Sequence, residues 1–189
     1  MKTAIIIHGM PDEEEYLKDP NRLSIENQHW LYWIKKELTE KNIIAETPTM
    51  PVPYLPEYSA WKEMFETFPL TQETILIGHS CGGGFIVRYL SENNIRVGKV
   101  VLVAPWLNPE HFLKNGMFDF TIDENIVDKT SGITIFNSTN DDIEIQESVK
   151  LITDKAAHIK LVEFENLGHF RYDDMHTDAF PELLIEATS

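Results

Sequence analysis

Ser80 stands in Gly78-His79-Ser80-Cys81-Gly82, between the apolar run Thr74-Ile75-Leu76-Ile77 and a helical pattern that opens with Gly83-Gly84-Phe85. A serine hydroxyl attacks a carbonyl only when it projects clear of its surroundings. A strand that turns sharply into a helix, with the serine at a strained corner, achieves this. Gly78 and Gly82 suit the same corner, because a side chain at either would collide with the neighbouring strand or helix. The helix beyond aims free backbone N–H groups at the corner and favours a developing negative charge there. The amide of Cys81 is therefore the expected first donor to an oxyanion. The plain alternative is a glycine-rich turn without chemistry, and the strand and helix on either side argue against it.

A nucleophilic serine needs a base, and the base needs an acceptor that fixes its tautomer. Gly-x-Ser-x-Gly in this setting is the elbow of α/β-hydrolases, in which the acid and then the histidine follow the serine in the chain. Of the seven histidines, His111, His158, His169 and His176 lie beyond Ser80. His169, in Asn166-Leu167-Gly168-His169-Phe170, comes just after the last apolar run, where a loop can swing an imidazole over the serine. The acid is expected after the preceding strand, where Asp141 and Asp142 are adjacent. Neighbours point in different directions, so only one can reach His169; Asp141 is preferred and Asp142 is the alternative. The turn Ile7-His8-Gly9-Met10 offers a second oxyanion donor, the Met10 amide. Trp106 and His79 are the candidates to touch substrate.

Six apolar, β-branched runs read as strands, at residues 4–7, 43–45, 74–77, 100–103, 133–136 and 159–164. Four are nearly continuous in hydrophobicity, as strands covered on both faces must be. Helical spacing links Trp30, Leu31, Ile34 and Leu38, and likewise Tyr58, Trp61, Met64 and Phe65. Further helices are expected at about 81–90 and 145–152, and around Phe180, Leu183 and Leu184. Strand alternating with helix implies right-handed parallel crossovers and a three-layer α/β/α sandwich, with a mainly parallel sheet of about six strands. Residues 48–56, rich in proline, read as an extended loop. Residues 106–132 form a short cap-like insertion, with short helices expected around 109–114 and 123–129. The whole chain, 1–189, reads as a single domain.

The pieces Ile77-Gly78-His79-Ser80, Val100-Val101-Leu102-Val103, Ser138-Thr139-Asn140-Asp141 and Gly168-His169-Phe170, with the earlier stretch 30–38, carry a resemblance over most of the chain. The sequence resembles the small serine hydrolases related to retinoblastoma-binding protein 9, a branch of the α/β-hydrolase fold. The resemblance implies a compact hydrolase able to cleave esters. Because the family's acid follows a Ser-Thr-x sequence, it also selects Asp141. Asp142 stands where the family often has proline. The Leu-x-Cys-x-Glu motif linked to retinoblastoma binding is absent, so no partner of that type is expected.

The 189 residues include 31 acidic and 16 basic side chains, a formal charge of −15. That balance repels phosphate backbones and anionic membranes and disfavours strongly anionic substrates. Cys81 is the single cysteine, which excludes an internal disulfide and paired-thiol zinc sites. Its thiol is expected to pack under the helix. No stretch approaches the ~20 apolar residues that span a bilayer, and the short apolar start is not a signal peptide; the expected location is cytoplasmic. Asp173, Asp174, His176 and Asp178 have metal-ligand chemistry but read as a solvated loop, with Thr177 or Asp178 capping the last helix. Trp30, Trp33 and Trp61 read as core. No metal or cofactor is expected. The reaction implied is hydrolysis of a small carboxylic ester or thioester through an acyl-enzyme on Ser80. A catalytically silent binding protein and an acyltransferase are the rivals.

Overall fold

In a computed structural model the described residues are 2–18 and 29–189, with only the backbone of His29 described. Six strands, β1 (Thr3–Ile7), β2 (Ile44–Glu46), β3 (Thr74–His79), β4 (Val100–Val103), β5 (Ile133–Ser138) and β6 (Lys160–Phe164), form one sheet. Their order is β2-β1-β3-β4-β5-β6 and every pairing is parallel. The side chains of β3, β4 and β5 are all buried, whereas β2 and β6, at the edges, alternate or face solvent. The continuous apolar runs therefore mark the interior of the sheet.

The helices are α1 (Glu13–Lys18), α2 (His29–Glu40), α3 (Tyr58–Phe65), α4 (Cys81–Glu92), α5 (Ile143–Lys155), α6 (Tyr172–Met175) and α7 (Pro181–Thr188). On one face of the sheet α2 packs against α7. Its stripe of Trp30, Leu31, Ile34 and Leu38 is completely buried. On the other face α3 meets α4, where Trp61 and Phe65 set their rings edge-on to Phe85. Right-handed crossovers place α5 on that second face too. The result is the three-layer sandwich of the α/β-hydrolase fold.

Several local expectations are corrected. Residues 109–114 form no helix, with a turn only at 109–110. Asn108 bonds Leu113 through both ends of its amide, Nδ2 to the carbonyl at 2.8 Å and Oδ1 from the N–H at 3.0 Å. This closes a loop in competition with helical bonding. The second expected helix shrinks to a 3₁₀ turn, Ile126–Lys129. The last helix starts at Pro181 with Phe180 at its N-cap, not Thr177 or Asp178. The one-turn helix α6 and the exposed helix α1, which buries no side chain, were not expected.

Glu186 closes the sheet from below. It is 8% exposed, and its carboxylate accepts from Thr134 Oγ1 at 2.6 Å while pairing with Lys99 at 2.5 Å and Lys160 at 2.6 Å. Burial alone would raise its pKa, but the bonds from Lys160, Lys99 and Thr134 outweigh it and hold the value down to about 2. A carboxyl group depressed on folding stabilises the native state above its unfolded pKa, and that contribution fades as pH falls towards the folded one. Glu186→Gln is therefore expected to lower stability by about 3 kcal/mol at neutral pH. It should also flatten the loss of stability between pH 4.5 and 2. Urea midpoints across that range test both.

Candidate active site

The corner at Ser80 is built as its residues require. Its backbone takes φ 52°, ψ −120° between β3 and α4, a conformation that costs a non-glycine residue about 1–3 kcal/mol. Hydrogen bonds hold it there. Ser80 N donates to Val103 O at 2.9 Å, and Ser80 O accepts from Trp106 N at 3.0 Å and Gly84 N at 3.1 Å. The approach of α4 is equally tight. A Cβ on Gly82 would lie 2.4 Å from His8 O, and one on Gly84 would lie 2.0 Å from Trp106 O.

β1 and β3 are neighbours, with Ile7 level with Gly78, so the turn after β1 runs beside the corner. Met10 lines the cavity onto which Ser80 opens. Among the described residues, neither the Met10 nor the Cys81 N–H has an acceptor. The Cys81 thiol is wholly buried, and burial pushes its pKa well above the ordinary thiol range. A thiol held protonated is a poor nucleophile.

His8 holds the β1 turn. Met50 N donates to its Nε2 at 3.0 Å, so Nδ1 carries the hydrogen and donates to Gly9 O at 2.6 Å. Burial lowers its pKa to about 4.

The structure brings Asp141 and His169 together. His169 Nδ1 lies 3.0 and 3.1 Å from the two Asp141 oxygens. The Asp141 side chain is 1% exposed and that of His169 14%. A carboxylate only accepts, so Nδ1 carries the proton and Nε2 is left as a base. Among the described residues Asp142 makes no bond to His169, and it lines both the cavity beside Ser80 and the one formed with Asp141 and His169. Among the described residues, Ser80 Oγ and His169 Nε2 have no hydrogen-bond partner. In unliganded enzymes the serine–histidine bond is often loose and tightens with substrate.

Contacts from distant parts of the chain anchor the His169 loop. Trp30 Nε1 donates to Phe170 O at 2.8 Å, and His79 Nε2 donates to His169 O at 2.9 Å. Asp174 accepts from His169 N at 3.0 Å and Arg171 N at 3.1 Å. Asn140 accepts from Gly168 N at 3.0 Å, and Ser138 Oγ from Leu167 N at 3.0 Å. The structure places His79, a candidate substrate contact, against the His169 loop. His79 is 7% exposed, with its ring edge-on to Trp30 and bonded to the backbone of the base. Asp174, a metal-ligand type by its chemistry, is a backbone clamp.

Trp106 does line the Ser80 cavity, and Phe112, Asp142 and Glu144 line it too. Sequence reasoning missed Phe112 and Glu144 as wall residues. The former sits in the insertion and the latter on α5, and neither carries a motif.

The sequence profile of the family described as serine hydrolase matches residues 23–185. The chain belongs to the serine hydrolase family. YdeN of Bacillus subtilis (strain 168) is 27% identical over 186 residues, 93% of this chain and 90% of YdeN. Serine hydrolase RBBP9 of Rattus norvegicus is 27% identical over 153 residues, 78% of this chain and 81% of RBBP9. The resemblance seen in the motifs is thereby shown. The crystal structure of YdeN superposes with a TM-score of 0.78 at 23% identity, covering all of this chain and 97% of that one. Est1E from Butyrivibrio proteoclasticus, with ferulic acid bound, gives 0.66 at 14% identity, covering 100% of this chain and 90% of Est1E. These two likenesses concern the fold. Family membership and the curated relatives support hydrolase activity. No helix among the described residues is long and apolar enough to cross a membrane.

The serine hydrolase's His8 gives a pH signature. A histidine depressed on folding stabilises the native state above its unfolded pKa of 6.5, and that contribution is lost as pH falls towards 4. Wild type is expected to lose about 3 kcal/mol more than His8→Gln over this interval. Denaturant midpoints at stepped pH, read for both proteins, provide the check.

Proposed function

We propose that the protein hydrolyses small carboxylic esters or thioesters through an acyl-enzyme on Ser80. The observation that carries this reading is the Asp141–His169 pair, 3.0 Å apart, delivered from the ends of β5 and β6. The same end of the sheet carries the strained Ser80 corner. His169 Nε2 takes the Ser80 hydroxyl proton as Oγ bonds to the substrate carbonyl carbon. The amides of Cys81 and Met10 hold the resulting oxyanion. Collapse breaks the bond to the alcohol or thiol, which leaves with the proton from His169. Water then attacks the acyl-enzyme, giving its proton to His169. The acid departs as Ser80 regains its hydrogen. Asp141 stays ionised throughout and stabilises the imidazolium. These steps call on no cofactor.

The cavity at Ser80, about 290 Å³, lies just below the ~300–1,000 Å³ usual for ligand pockets. That size suits a small ester better than a peptide. Est1E with ferulic acid is an example of the same fold holding a small carboxylic acid.

Labelling by a fluorophosphonate is expected for wild type and absent for Ser80→Ala. With a short-chain chromogenic ester, Ser80→Ala and His169→Ala should each lower kcat by roughly 10⁴–10⁶, and Asp141→Asn by roughly 10³–10⁴. A well-folded wild type that neither labels nor turns over ester would leave a binding protein of this fold. Acyl product formed with an added alcohol in preference to water would make it an acyltransferase.

A further inference from the structure

The walls of the Ser80 cavity have a sign. Beside Met10, Trp106 and Phe112 they include two carboxylates, Asp142 and Glu144, and no basic residue among the described residues. Glu144 Oε2 accepts from Trp106 Nε1 at 2.7 Å, which fixes the carboxylate against the indole. Asp142 is exposed and makes no side-chain capping bond to α5, although it sits at the N-cap. Among the described residues neither carboxylate is in an ion pair. Arg171 lines the adjoining cavity, which Asp142 shares with Asp141, Asp173 and Asp174, so acidic groups outnumber the cation there too.

Unpaired carboxylates in a small cavity attract a cation and repel an anion, and aromatic neighbours add to the attraction of an ammonium group. Asp142 and Glu144 line the same pocket as Ser80, so a cation they attract sits in the cavity where Ser80 meets the carbonyl. Resting on the esterase reading, we propose that the substrates are small esters or thioesters carrying an ammonium group. Asp142 and Glu144 are the residues that select them.

The test uses a matched pair of chromogenic esters, one ending in a trimethylammonium group and the other in its uncharged tert-butyl isostere. Fluorophosphonate labelling of the same preparations reports separately whether Ser80 is active. Wild type should favour the cationic ester in kcat/KM by roughly five- to tenfold. In Asp142→Asn/Glu144→Gln that ratio should approach one. The amide introduced by Glu144→Gln would keep an acceptor for Trp106 Nε1, and the formal charge changes only from −15 to −13 (−15 + 2), so the global field is nearly preserved. Because the ratio is read within each protein, a general change in activity cancels. Raising ionic strength towards 1 M should also shrink the wild-type ratio, as the screening length falls to ~3 Å. Labelling with a wild-type ratio near one, or a preference that survives the double substitution, overturns the inference and leaves the esterase reading standing. A folded wild type with neither labelling nor hydrolysis overturns both.

Discussion

One close approach governs the carboxyl end of the sheet: the first turn of α4 lies directly against the backbone that leaves β1 and β4. Only hydrogen fits on the Cα atoms of Gly82 and Gly84 where they meet the carbonyls of His8 and Trp106. With α4 held so near, the chain joining it to β3 has no room for a relaxed turn. Ser80 therefore takes a positive φ that its side chain disfavours. The strain is sustained because both backbone polar groups of Ser80 are bonded to the β4 exit and α4. The same crowding brings the β1 turn alongside, so the two candidate oxyanion donors and the serine share one rigid knot.

The histidine half is held by a different principle. Its loop has three positive-φ residues, Asn166, Gly168 and Phe170, and little secondary structure of its own. Its place is set by polar anchors reaching in from α2, β3, the β5 turn and α6. Packing supports them from beneath, where Phe170 stacks on Phe180 and meets Phe164 edge-on. Serine and base thus reach the same region from two separately built supports, one steric and one hydrogen-bonded.

Much of this was legible in the sequence because it was written in local patterns. Residues 74–77 and 100–103 announce buried strands by their apolar runs, and Gly-x-Ser-x-Gly announces the corner between a strand and a helix. Asp141 and His169 were singled out by order along the chain, and their side chains lie 3.0 Å apart. Long-range partnerships were not legible. His8 looked like a turn residue until Met50, 42 positions away, proved to be its donor. His79 looked like a pocket residue because it adjoins the serine, yet its ring is turned beneath the base loop. Glu186 carried no motif at all, since its partners Lys99, Thr134 and Lys160 converge only when three strands are side by side. The expected helix at 109–114 failed for a reason also hidden in pairing, the Asn108 amide closing on Leu113.

The unequal burial of the strands fixes an order of failure. The serine rides on β3, buried on both faces, whereas the base follows β6, an edge strand whose side chains are largely open to water. Local opening is cheapest where burial is least. On warming, the margin of the sheet beyond β5 should loosen while β1, β3 and β4 remain intact. Under the proposed mechanism, turnover would then cease in molecules that are still folded, with Ser80 still in its corner and the His169 imidazole gone from its side.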